Sequence, residues 1–283
     1  MPRAECAPKL TGVILDQKTQ EPIPYAWVDL KDQETRALAD SLGRFTINPS
    51  SLLLPDTLIV NGVGYKPARQ AFTPNDPAKA VEIALSPIVV PVAPLVLPSS
   101  GKIKLITLGA RSKEPGEGMI QDLPGGHQYA LFIKNEKGEK LGDICSVSFF
   151  MGDNGHPREK FRVRVYRAVG SPAHPGPDLL LKSLVVSAPK GGQWFSVDLT
   201  PYNIEAPTEG FFVAMEWIMG SKVCDTSSDS YTPCGQVMRP TFEFKESRTW
   251  NYTIGRDWSL ITLANGNGRR YNAMIKAEVD LVK

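Results

Sequence analysis

No window of the sequence reaches the ~18 uninterrupted apolar residues that suggest a membrane span, and the opening MPRAECAPKL lacks the apolar h-region of a secretory signal. The chain as written is therefore expected not to insert into a membrane. The missing signal leaves two readings, a cytoplasmic protein or one whose leader has been removed. Histidine is scarce, with residues only at 127, 156 and 174. Ser/His/Asp or Cys/His catalysis is then possible in arithmetic only, because no G-x-S-x-G elbow accompanies it. A phosphate-cradling G-x-x-x-x-G-K-[ST] loop is missing as well, since Gly101-Lys102 is followed by Ile103. The cysteines, Cys6, Cys145, Cys224 and Cys234, include no C-x-x-C pair, so zinc and redox readings have little support. Charge of one sign is lacking too: 32 Lys and Arg against 30 Asp and Glu give a net charge of +2. That balance argues against a nucleic-acid partner.

What the sequence does have is the composition of a globular protein, with 42% hydrophobic and 22% charged residues over 283 positions. Its 24 glycines and 24 prolines fit many turns and short strands. The stretch Ser86 to Ser100, SPIVVPVAPLVLPSS, sets Pro87, Pro91, Pro94 and Pro98 in an apolar run. Each proline removes an amide donor and biases its predecessor toward extended backbone, which predicts a semi-rigid connector. Two β-domains follow from the patterns on either side, over residues 8–86 and 101–283, joined by a linker at 87–100.

In the first domain, residues 10–16 and 24–31 read as strands around a polar turn. Ala26, Val28 and Leu30 form a uniformly apolar face opposite the mixed face of Tyr25, Trp27 and Asp29, so the apolar face is expected inward. Asp40-Ser41-Leu42-Gly43-Arg44-Phe45 predicts a tight connection. Asp40 accepts local amides there, Gly43 takes positive φ, and Phe45 re-enters the core. Thr57–Val63 and Ala78–Leu85 complete a set of strands spaced as in a sandwich. The segments Thr11–Asp16, Pro22–Val28, Asp40-x-x-Gly43-x-Phe45 and Gly64-Tyr65 together resemble the carboxypeptidase-regulatory-like domain. The resemblance implies a transthyretin-like β-sandwich of the kind found in envelope and secreted proteins of Gram-negative bacteria. It implies fold and location, and no activity, since that module is the non-catalytic companion of metallocarboxypeptidases.

The second domain carries strand patterns at Lys102–Leu108, Gln128–Lys134, Cys145–Met151, Phe161–Tyr166 and Phe211–Ile218. Gly152-Asp153-Asn154-Gly155, Gly191-Gly192 and Asn265-Gly266-Asn267-Gly268 mark turns, the last closing a hairpin into Arg270–Leu281. A jelly-roll-like sandwich is expected, so the fold class is all-β throughout. Cys145 is expected as a small buried hydrophobe, and Trp194 and Trp217 as core residues. The segments Phe161–Tyr166, Trp194–Leu199 and Gly210–Ile218 resemble the uncharacterised β-sandwich that follows carboxypeptidase-regulatory-like domains in some envelope proteins.

Candidate chemistry is sparse. His156-Pro157-Arg158-Glu159 fits H-x-x-E, but it sits in a Gly/Asn/Pro turn with no scaffold or third ligand for zinc, so a polar turn is expected. Arg162 and Arg164 alternate with Phe161, Val163 and Val165, which places the arginines opposite the core, where one can pair with the otherwise odd Glu216. Cys224 and Cys234 bracket a polar loop. A bridge there would contribute ~2–4 kcal/mol and favour an oxidising compartment, and two unpaired thiols is the alternative. Asp153 and Asn154, or Asp225 and Asp229, offer oxygens of the kind a structural Ca²⁺ uses, without EF-hand spacing. No other cofactor and no catalytic residue is expected.

The best functional lead is a C-terminal aromatic cluster, Trp250, Tyr252 and Trp258, followed by Arg270 and Tyr271. Exposed, coplanar rings beside polar groups would bind a glycan; buried rings would belong to a structural or protein-interaction module. The expected partner is accordingly an envelope protein or a glycan. A hydrolase with an unrecognised site is the third reading, and no residue carries it.

Overall fold

The computed structural model describes residues 9–32, 35–48, 56–72, 80–89, 104–118, 120, 126–156, 158–218, 235–253 and 256–282. The chain divides into two compact units, Met1–Ala93 and Pro94–Lys283. Among the described residues every regular element is a strand apart from one 3-10 turn at Thr200–Tyr202. None of the described residues forms a helix long and apolar enough to cross a membrane.

The first unit contains β1 (Leu10–Asp16), β2 (Trp27–Leu30), β3 (Thr35–Leu38), β4 (Arg44–Ile47), β5 (Asp56–Asn61), β6 (Ala68–Phe72) and β7 (Val81–Leu85). They form two sheets, β4-β1-β7 and β3-β2-β5-β6. Period-two alternation supplies the core between them: Ile14, Val28, Leu30, Phe45, Val60 and Leu85 are all buried in one cluster. The expected Asp40 turn is built as its residue types require. Asp40 Oδ1 accepts the amides of Leu42 and Arg44 at 2.8 and 2.9 Å, and Gly43 adopts φ 69°. Asp16 ends β1 with a second polar knot. Its carboxylate accepts the amides of Lys18 and Thr19 and, at 2.8 Å, the Tyr65 hydroxyl. The Thr19 amide and the Tyr65 hydroxyl hold the Asp16 carboxyl below its ordinary value. Burial, and then Asp16 itself, push the Tyr65 phenol up to about 12.

Three residues of the expected linker, 87–89, are described. Pro87 bridges to Tyr65, and the Ile88 amide donates to Gly64 O at 2.8 Å, so both residues belong to the first unit. Pro87 fits there because an isolated bridge at a sheet margin asks little of its missing donor. Residues 90–100 lie outside the described residues.

The second unit contains β8 (Leu105–Gly109), β9 (Gln128–Lys134), β10 (Leu141–Met151), β11 (Phe161–Val169), β12 (His174–Asp178), β13 (Leu184–Val186) and β14 (Gln193–Asp198). It continues with β15 (Gly210–Trp217), β16 (Pro240–Thr241), β17 (Thr249–Tyr252), β18 (Ser259–Leu260), β19 (Asn272–Ala273) and β20 (Ile275–Leu281). A four-stranded sheet, β14-β10-β20-β8, faces a seven-stranded sheet, β12-β11-β15-β9-β17-β18 with β13 beside β11. Val147, Phe149, Ile275 and Ala277 from the first meet Leu131, Val163, Val213 and Met215 from the second in one core.

Trp217 is buried in that core, its indole N–H donating to Gln236 O at 2.7 Å. Trp194, expected in the core, is half-buried against Phe150, and Lys276 Nζ sits 4.2 Å from its ring centre. Alternation along β14 turns Phe195 and Val197 to the core, so Trp194 lies on the other face of the sheet, in a separate small cluster with Phe150 and Met274. Cys145 is half-buried and unpaired rather than buried, because β10 changes register between Ile144 and Ser146. His156 and Arg158 are exposed in a turn, and no group of three or more His, Cys, Asp or Glu suited to a metal occurs among the described residues. Asp153 and Asn154 are exposed in the neighbouring turn. Cys224, Cys234, Asp225 and Asp229 lie outside the described residues.

Candidate recognition face

Alternation along three central strands gives the seven-stranded sheet a second, outward face. Phe211, Val213 and Met215 of β15 point into the core, so Phe212, Ala214 and Glu216 point out. Strand register aligns these with the neighbouring strands in rows: Tyr166, Phe212 and Phe132; Arg164, Ala214, Ala130 and Trp250; Arg162, Glu216, Gln128 and Tyr252. The middle row holds two alanines between large side chains. That hollow lets the Tyr166 ring lie across β15 above Ala214, so that its hydroxyl donates to Gln128 Oε1 at 2.5 Å, two strands away. Ala130, Tyr166, Phe212 and Ala214 thereby form a small buried cluster of their own, with Trp250 and Trp258 packed against it.

Charge occupies the other half of this face. Arg162 and Glu216 are both buried, and Arg162 Nη1 lies 3.3 Å from Glu216 Oε1. Arg164 Nη1 donates to Glu216 Oε2 at 2.8 Å, while its Nε and Nη2 reach Asp178 at 2.8 to 3.0 Å. The Arg164 guanidinium also lies 5.0 Å from the Tyr166 ring centre. Burial alone would lower this guanidinium, but Tyr166, Asp178 and Glu216 outweigh it and hold it well above its ordinary value. Burial lowers Arg162. The expected role of the arginines is met twice over: Glu216 takes both of them as partners.

The aromatic residues singled out by sequence divide into two places. Trp250, Tyr252 and Trp258 come together at the β17–β18 margin of the outward face, each half-buried. Trp258 packs edge-on against Tyr166 at 5.6 Å and 75°, and Tyr252 lies 5.2 Å from Trp258 at 43°. His174 from β12 approaches Trp250 at 5.8 Å and 49°. The rings are therefore partly accessible, and they are tilted rather than coplanar. Tyr271 instead packs on the core cluster and edge-on to Phe242, where burial raises its phenol. Arg270 donates to Thr262 O at 2.9 Å, bracing the hairpin whose tip is the Asn265 turn. Sequence reasoning did not connect Tyr166 and His174 with the three C-terminal aromatics. The alternation of Tyr166 with Val165 was available as a signal, whereas the Pro-flanked His174 gave none.

No curated protein matches the chain. One solved structure with likeness to it comprises the cysteine protease and lectin-like domains of Cwp84, a surface layer associated protein of Clostridium difficile. Identity is 10%, the TM-score is 0.37, and 92% of this chain and 59% of that one are covered. A second is the structure of infectious bursal disease virus Gt strain, at 11% identity and a TM-score of 0.24, with 100% and 58% covered. The chain thus spans less than two thirds of either, and likenesses of this strength carry no argument about fold or function. The family comparison is of a different kind, because it falls on the strands and turns already described. Residues 10–91 match the family model described as CarboxypepD_reg-like domain, so the first unit carries a carboxypeptidase-regulatory-like β-sandwich, a fold that suits a non-catalytic binding module in general.

Proposed function

We propose that this chain is a non-catalytic structural and protein-interaction module of the bacterial cell envelope or exterior. In this reading the first unit serves as a spacer and the outward face of the seven-stranded sheet receives an envelope protein. The observation that carries the reading is the packing of Trp250, Tyr252 and Trp258. Their tilts of 43° and 75°, fixed against each other and Tyr166, give a contoured apolar margin rather than a flat platform. Half-exposed aromatics beside a buried charge network are what a protein partner buries at the centre of an interface. The same partial exposure favours a second reading, a glycan subsite, in which a sugar would stack on one ring at a time.

One experiment separates them. The purified chain is applied to a broad glycan panel with and without Ca²⁺, beside a Trp250→Ala/Trp258→Ala variant checked for folding. In parallel, a photo-crosslinker placed at the exposed Asp257 is compared with one at the exposed Asn267 in cells. Expected is no panel binding, and a discrete crosslinked envelope protein from position 257 that disappears in the double variant. Specific glycan binding, lost in the folded double variant, would replace the protein-partner reading with the glycan reading.

A further inference from the structure

A separate cleft of about 860 Å³ opens in the second unit between β8, the β9–β10 turn and the segment 243–248. One wall is the edge strand of the four-stranded sheet, since β8 ends the order β14-β10-β20-β8. The Ala110 amide donates to Ile275 O, and Lys104 O accepts from the Leu281 amide. Antiparallel alternation then turns the main-chain groups of Leu105 and Thr107 away from β20. Thr107 O shows this directly, because it accepts the exposed Arg111 Nη2 at 2.6 Å. Edge strands are usually protected by lysine, proline or a bulge. The sequence Leu105-Ile106-Thr107-Leu108-Gly109 has neither residue type, its pairing with β20 runs without a register shift, and Leu105 is 51% exposed.

The cleft also carries more positive than negative side chains, with Arg111, Lys134, Lys137, Lys245, Arg248 and Lys276 against Glu136, Glu139, Glu243 and Glu246. Arg248 is only 7% exposed and lies 4.2 Å from the Phe244 ring centre. It donates through Nε and Nη2 to Glu246 and Glu136, whose side chains are themselves 52% and 59% exposed. Its Nη1 has no acceptor among the described residues. Glu243, another lining carboxylate, is taken by the amides of Arg111 and Ser112 at 2.8 and 2.9 Å. Lys134, Lys137 and Lys245 line the same space and form no ion pair among the described residues.

We propose that the open edge of β8 receives an extended acidic peptide, which adds a strand through the main chain of Leu105 and Thr107 and places a carboxylate on Arg248 Nη1. Arg111 is the gate, releasing Thr107 O as the strand arrives. The open ladder is what selects a peptide over a free anion or an acidic sugar, because only a peptide satisfies both the main-chain groups and the guanidinium. None of these residues belongs to the aromatic face, so this site stands or falls apart from the crosslinking result.

The test uses the full chain and a short blocked peptide of alternating glutamate and valine. Its comparators are the lysine–valine counterpart, a backbone N-methylated copy of the acidic peptide, and an oligoglucuronate. The acidic peptide is expected to bind at least about tenfold tighter than each comparator and to slow amide exchange at Leu105 and Thr107. Lys134→Glu/Lys137→Glu, two exposed changes, should weaken it about tenfold while far-UV circular dichroism stays unchanged. Equal binding of the N-methylated copy, or preference for oligoglucuronate, or no binding of the acidic peptide at all, would overturn the proposal.

Discussion

Glu216 stands directly opposite Arg162 in the β11–β15 ladder, yet its shorter bond runs diagonally to Arg164, 2.8 Å against 3.3 Å. The diagonal frees Arg164 to hold Asp178 with the rest of its fork, so one buried carboxylate organises two arginines and ties β11, β15 and β12 together. Glu216→Leu should therefore destabilise the second unit by about 3–5 kcal/mol, because Arg162 is left as a buried charge without its carboxylate. Arg162→Met together with Glu216→Leu should recover most of the loss, since Arg164 keeps Asp178 and the apolar pair packs on the sheet. Urea midpoints of the two variants check this; equal loss in both would mean that the network does more than neutralise charge.

The two-alanine hollow under Tyr166 makes a second expectation. Ala214→Leu should push the Tyr166 ring off the sheet, break its bond to Gln128 and displace Trp258. The expected cost is about 1–3 kcal/mol from overpacking. Tyr166→Phe keeps the ring and removes only the hydroxyl, so it should cost about 1–3 kcal/mol through the unsatisfied Gln128 while leaving Trp258 in place. Tryptophan emission distinguishes them: it should shift in the leucine variant and hold in the phenylalanine variant.

In the first unit, a Cβ on Gly12 would stand 2.3 Å from Val81 O and 2.6 Å from the Phe45 ring. That glycine is needed for space, because β1 pairs with β4 on one side and β7 on the other. Gly12→Ala should lower stability by about 1–3 kcal/mol, from backbone that has to move. Because β1 and β7 belong to the first compact unit and β15 to the second, the loss should appear in protection of β1 and β7 amides and leave β15 unchanged. Hydrogen exchange resolved by residue reads both.

Much of this architecture was legible where chemistry is local. The Asp40-to-Phe45 turn, the inward face of Ala26, Val28 and Leu30, and the strand Gln128–Lys134 follow from residue types within a few positions. The partner of Glu216 was legible too, because a carboxylate in an apolar strand demands a cation. Other features depend on residues far apart in the chain. The parallel pairing of β1 with β7 leaves no periodic trace. β12 contains Pro175 and Pro177, which argue against a strand, yet an edge strand tolerates both. Proximity in sequence also put Tyr271 with Trp250, whereas Tyr271 packs on the inner core and Trp250 on the outward face. Ring tilt is set by Tyr166 and side-chain space by Ala214, and neither lies near residue 250. The cleft beside β8 draws on four separate segments, and no pattern in any one of them announces it.

His127 should give the second unit one source of pH dependence. Its imidazole is buried at the start of β9, its Nδ1 lies 3.2 Å from Thr253 Oγ1, and burial lowers its pKa. In the unfolded chain a histidine takes up its proton near pH ~6.5, whereas the folded imidazole stays neutral to lower pH. The unfolded state therefore binds more protons in that interval, and stability rises with pH across it. Stability conferred by neutral His127 is fully present above the unfolded value and is lost as pH falls through the folded one. The urea midpoint of the second unit should accordingly drop between about pH 7 and pH 5. His127→Gln, which cannot titrate, should flatten that slope while lowering the midpoint at neutral pH through the altered contact to Thr253. A slope of unchanged size in the glutamine variant would assign the pH dependence to groups other than His127.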